Sequence, residues 1–112
     1  MLNFNHDRNI EVDWVTGAVM MIRKDAIDKI GLMDERNFFL YQEDQDWCIR
    51  MWHNKYKVAY VYSAKAMHNF MRQGFKEPLS KFALYQLKST WNLFRKYNWK
   101  KNCKSKKFDR IY

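Results

Sequence analysis

The fourteen residues from Phe38 to Met51, FFLYQEDQDWCIRM, set three carboxylates between an aromatic run and an amphipathic segment. Trp47, Cys48, Met51 and Trp52 fall at i, i+1, i+4 and i+5, which is one face of a helix. Asp46 and Arg50 are spaced to pair on another face, so the pattern predicts a helix from about Asp44 to His53. Acidic residues in a first turn complement the helix dipole, and that alone explains one or two of Glu43, Asp44 and Asp46. It does not explain the aromatic run that leads into them. Carboxylates at the edge of an apolar wall are where a catalytic base or a ligand is found.

Around this block the elements are short. Residues 1–11 are polar and read as a loop or a cut end, with order beginning near Val12. VDWV and AVMMI read as extended segments on either side of Gly17, which marks a close backbone approach or a bulge. Asp25 is placed to cap a short helix whose buried side is Ala26, Ile27 and Ile30, and Gly31 to end it in the left-handed conformation. KVAYVYS reads as a strand of about six residues, and AKAMH as a further extended piece ending at His68. From Leu79, just after Pro78, the spacing of Phe82, Ala83, Tyr85, Leu87, Trp91, Leu93 and Phe94 suits a long amphipathic helix. The order strand, helix, loop, helix, strand, long helix predicts an α/β or α+β architecture with too few strands for a complete doubly wound sheet.

With 112 residues, 47% of them hydrophobic and only three glycines and one proline, the chain is sized for one core and has little material for linkers. We expect a single domain over 1–112, divided into a core (12–70), an amphipathic helix (77–99) and a basic tail (100–112). The net charge of +9 is concentrated near the end: from Arg95 to Tyr112 there are eight basic residues and one acid. Such an end can meet nucleic acid, an anionic membrane surface or a phosphorylated substrate, or can simply be solvated. Cys48 and Cys103 are isolated, so neither a disulfide framework nor a C-x-x-C metal site is expected. There is no signal-peptide pattern and no run of eighteen apolar residues, so the expected location is cytoplasmic.

Taken together, VDWVTGAVMMIRKDAIDKIGLMDERNFFLYQEDQDWCIRMWHNKYKVAYVYSAKAMH resembles the C-terminal part of family 2 glycosyltransferases of the GT-A fold, the bacterial rhamnosyltransferase-like group in particular. Four features carry the resemblance: Trp14, Gly17 and Ala18 of a W-x-x-G-A segment; the M-D-E turn at Met33 to Glu35; the F-x-Y-x-E-D-x-D-x-C-x-R block from Phe39 to Arg50; and His68 ending the following extended segments. The resemblance implies an α/β, partial GT-A fold and transfer of a sugar, with inversion, from a nucleotide-sugar donor to a saccharide or lipid-linked acceptor. By position it implies Asp44 as the general base that takes the acceptor's hydroxyl proton, with Glu43 as its neighbour or understudy. Aspartates carry their charge near neutral pH, as that role requires. It places Trp14, Thr16, Gly17 and Asp46 at the acceptor. The reading of Trp14 as a core aromatic stands beside this one, and Arg50 has the alternative of pairing with Asp46. In several relatives a histidine at the position of His68 binds the divalent metal (Mg or Mn) that holds the nucleotide diphosphate; the alternative is a surface or supporting histidine.

A complete enzyme of this kind also has a nucleotide-binding half with its own D-x-D on a strand end, and none is seen before Val12. Asp44-Gln45-Asp46 spells D-x-D but opens a helix inside the acceptor-side block, so it is not equated with that site. The chain is therefore expected to be inactive without a complementary N-terminal half; a homo-oligomer is the other protein partnership to consider. The long helix and basic tail suit the surface of an anionic membrane, which would place the chain peripherally at the inner membrane face. The competing function is a non-catalytic module in which Trp99, Lys100, Lys101, Lys104, Lys106 and Lys107 grip a membrane or nucleic acid. No segment resembles a nucleic-acid-binding motif, and the E-D block would then have no role.

Overall fold

The computed structural model describes residues 6–68 and 81–97. Over them the chain runs β1 (Ile10–Glu11), α1 (Lys24–Ile30), α2 (Glu43–His53), β2 (Ala59–Tyr60) and α3 (Lys81–Tyr97). This is a mixed α/β arrangement in which β1 and β2 pair antiparallel, Ile10 opposite Tyr60 and Glu11 opposite Ala59. The Val12 N–H carries the pairing one step further, donating to the Val58 carbonyl at 2.9 Å, and Lys57 pairs with Glu11 across the strands.

The sheet is shorter than the sequence predicts and partly elsewhere. β1 falls in the stretch read as a loop or cut end, while VDWV, AVMMI, AKAMH and most of KVAYVYS form no strand. Val12, Val15, Met20 and Ile22 are instead spent on packing against the buried side of α2. Apolar and β-branched residues report a half-buried surface as much as a ladder, so the pattern alone could not separate the two.

The core gathers on α2. Trp47, Cys48 and Met51 are buried with Val58, and Ile27, Ile30, Met33, Trp52 and Tyr56 pack around them. Burying each large apolar side chain stabilises the fold by roughly 1.5–3 kcal/mol. Polar atoms of the same helix fasten α1: Trp47 Nε1 donates to the Gly31 carbonyl at 2.9 Å, and Arg50 donates to the carbonyls of Ile30 and Leu32. These are orphan acceptors at the C-terminal end of α1, where a cation also complements the dipole.

The helix ends differ in detail from expectation. Asp25 makes no cap; the residue before α1 is Arg23, and Asp25 sits in the first turn paired with it. Gly31 does end α1 at positive φ, 80°, though its ψ of 178° is extended and not the left-handed helical conformation expected, and its N–H donates to the Ile27 carbonyl at 2.8 Å. Ahead of α2, Tyr41 (φ 66°) and Gln42 (φ 71°) are consecutive non-glycine residues in the left-handed region, at a cost of order 1–2 kcal/mol each. α2 closes in a Schellman motif: Tyr56 N–H donates to the Met51 carbonyl and Lys55 N–H to that of Trp52, with Lys55 at φ 65° where glycine is usual.

α3 docks through polar groups. Ser89 is its buried residue, and its Oγ donates to the Leu40 carbonyl at 2.7 Å. Asn92 Nδ2 donates to the Asn37 carbonyl at 2.8 Å, and Gln42 Nε2 to Thr90 Oγ1 at 3.3 Å. The expected helix start after Pro78, Leu79, the basic tail with Trp99 and its lysines, and Cys103 lie outside the described residues.

Candidate functional site

The first turn of α2 presents two carboxylates in different settings. Asp44 Oδ2 accepts a hydrogen bond from the Gly17 N–H at 2.9 Å and Oδ1 one from the Gln45 N–H at 2.7 Å. A carboxylate offers about four acceptor positions, so two backbone donors orient it and leave room for a hydroxyl. The Gly17 contact joins segments 27 residues apart in sequence. A Cβ at Gly17 would lie 3.4 Å from Asp44 Cβ, an ordinary van der Waals contact, so the two segments touch without the space itself requiring glycine.

Glu43 faces elsewhere. It lines a cavity of about 490 Å³ whose walls include Leu32, Met33, Phe38, Phe39 and Trp47, with Glu35 as the second acid. Its Oε2 is buried and has no hydrogen-bond partner among the described residues, and the same holds for Gln42 Oε1 at the turn before it. Buried polar atoms are normally satisfied, so the orphaned Glu43 oxygen is a local exception; it is closed off from solvent while other atoms of the residue line the cavity.

The acceptor-side residues separate into two groups. Gly17 touches Asp44 directly, Thr16 beside it is exposed, and Trp14 is 45% exposed, so it is not the core aromatic that was its alternative. Asp46 requires a correction, because it is 0% exposed and presents nothing to an acceptor. Its Oδ2 accepts from Arg50 Nε at 2.9 Å, and its Oδ1 from Lys96 Nζ at 2.8 Å and the Tyr97 hydroxyl at 2.7 Å. It is the hub that ties α2 to α3, and Arg50 does pair with it as the i,i+4 spacing allowed.

Lys96 extends this hub to Asp34, 2.8 Å away, whose other partner is Asn37. The Lys96 and Asn37 donors hold the Asp34 carboxyl down at about 2. Burial works to lower the Lys96 ammonium, and the two aspartates outweigh it and raise it. Burial, then the bond to Asp46, pushes the Tyr97 hydroxyl well up. The sequence carried no signal for Lys96 or Tyr97, which sit where the chain turns basic.

Cys48 is a free, buried thiol pushed up chiefly by burial, which keeps it from acting as a nucleophile. His53 is exposed, its ring edge-on to Tyr97 at 5.8 Å. His68 is exposed too. Among the described residues no group of three or more His, Cys, Asp or Glu side chains is placed to hold a metal ion.

Set against known proteins, the chain is similar to enzymes named as rhamnosyltransferases. It is 32% identical over 80 residues to an N-acetylglucosaminyl-diphospho-decaprenol L-rhamnosyltransferase of Mycobacterium tuberculosis, a match covering 71% of this chain and 25% of that protein. It is 31% identical over 100 residues to rhamnosyltransferase WbbL of Escherichia coli K12, covering 89% of this chain and 36% of that one. The chain thus spans about a quarter to a third of the length of the curated relatives it matches. No family model matches it, and no solved structure does.

Proposed function

We propose that this chain is the acceptor-side part of an inverting glycosyltransferase of the GT-A fold in family 2, with Asp44 as general base. The observation that carries the reading is the Gly17–Asp44 hydrogen bond, which unites the W-x-x-G-A and E-D segments at one spot. Asp44 takes the proton of the acceptor hydroxyl. The oxygen so freed forms a bond to the anomeric carbon from the face opposite the nucleotide. The bond from that carbon to the nucleotide diphosphate breaks, its electron pair leaving with the diphosphate, through a transition state of oxocarbenium character. Trp14 and Thr16 flank the incoming sugar, and Glu43 lines the neighbouring cavity.

The relatives' names point to a rhamnosyl donor, and the mycobacterial one to a lipid-linked diphosphate sugar as acceptor. In this reading His68 would be this chain's ligand to any Mg or Mn ion that accompanies the nucleotide. The reading places the reaction in the cytoplasm, at the inner membrane face.

The test is rhamnosyl transfer from a nucleoside-diphosphate rhamnose to a polyprenyl-diphosphate-linked sugar. It is run with the chain alone and with the chain joined to the nucleotide-binding half of either relative. Turnover should need that half and should fall by about 10²–10⁴ in Asp44→Asn. Unchanged turnover in Asp44→Asn would remove the assigned base.

A further inference from the structure

α3 keeps an apolar side toward water. Its inward side is mixed: Ser89, Asn92, Lys96 and Tyr97 make hydrogen bonds to the core, and Tyr85 sets its ring against Phe39. Its outward side is apolar, with Leu84 63%, Leu87 68%, Trp91 68% and Phe94 58% exposed. At 100° per residue these four fall within an arc of about 80°, opposite Ser89. Lys81, Lys88 and Arg95 fall in a row along one flank of that arc, and the helix KFALYQLKSTWNLFRKY contains no acid. A continuous apolar stripe held toward water marks a binding surface.

We propose that α3 is an interfacial helix that lies along an anionic lipid surface, its Leu84–Leu87–Trp91 stripe entering the headgroup and acyl boundary. Charge decides the occupant. A second copy of the chain would bring two cationic rows together with no acid on either helix, whereas anionic headgroups supply the missing counter-charge. No helix among the described residues is long and apolar enough to cross a membrane, so α3 lies on the surface and does not span it. Tryptophan suits that boundary, with an apolar ring and one polar N–H. The inference stands on α3 alone and holds or fails independently of the transferase reading.

The experiment is co-sedimentation of the full 112-residue chain with phosphatidylcholine vesicles, with and without roughly one-third phosphatidylglycerol. Binding should require phosphatidylglycerol and weaken at high salt. Leu87→Glu and Trp91→Glu should each lower partitioning at least about tenfold, Lys88→Glu about fivefold or more, and Trp91→Phe should retain it. These positions face outward, so far-UV circular dichroism should not change. Absence of binding would overturn the proposal. So would binding indifferent to Leu87→Glu and Trp91→Glu, which would assign it to the basic tail. A dimer seen by light scattering and abolished by Leu87→Glu, without vesicle binding, would instead assign the stripe to a second copy.

Discussion

Two aspartates in one helical turn have different work because their neighbours differ. Asp44 is held by backbone N–H groups and keeps acceptor positions open, so Asp44→Asn should leave the thermal midpoint nearly unchanged while removing transfer. Asp46 is enclosed by Arg50, Lys96 and Tyr97. Asp46→Ala would take one partner each from Arg50, Lys96 and Tyr97 and should cost about 1.5–3 kcal/mol, read by urea unfolding. Equal stability losses in the two variants would contradict this division. A side chain at Gly17 would meet Asp44 first, its Cβ 3.4 Å from Asp44 Cβ and 3.7 Å from Oδ2, so the bulkier Gly17→Val should lower the transfer rate more than Gly17→Ala, at similar stability. From sequence the acidic block was plainly important, but its members could not be sorted, since the sorting depends on Gly17, Lys96 and Tyr97, all at least 27 residues away from their aspartates.

α2 was legible as an element because its apolar face and its Asp46–Arg50 spacing are local, and the structure begins it only one residue early, at Glu43. The strands were not, because the same valines and isoleucines serve equally well as packing against a helix. Helix ends were read in part: Gly31 ends α1, whereas the cap expected of Asp25 gives way to an ion pair with Arg23. The end of α2 carries a correctable strain. Lys55 occupies the left-handed position of a Schellman motif, so Lys55→Gly should stabilise the chain by about 0.5–1 kcal/mol, visible as a higher urea midpoint. A lower midpoint would mean that the Lys55 side chain contributes more than its backbone costs.

Across the whole molecule, α3 is attached to the core by an ionic and hydrogen-bonded seam, and that makes its attachment sensitive to acid. Asp34 has its carboxyl lowered from 3.8 to about 2 by Lys96 and Asn37, so folding favours its charged form. The resulting stabilisation is complete above pH ~4 and is lost as the pH falls toward 2, up to about 2 kcal/mol in all. The stability difference between the native chain and Asp34→Asn should therefore narrow over that window. A difference independent of pH would show that the seam does not depend on this charge. By itself the sequence determined the α2 amphipathic face, the glycine at the end of α1 and the amphipathic repeat of α3, because each is written in spacings shorter than two helical turns. Only the tertiary structure decided which aspartate is buried, which touches Gly17, and which side of α3 faces water. Those outcomes depend on pairings between distant segments, and a repeat along one helix specifies two faces without saying which of them the rest of the chain will cover.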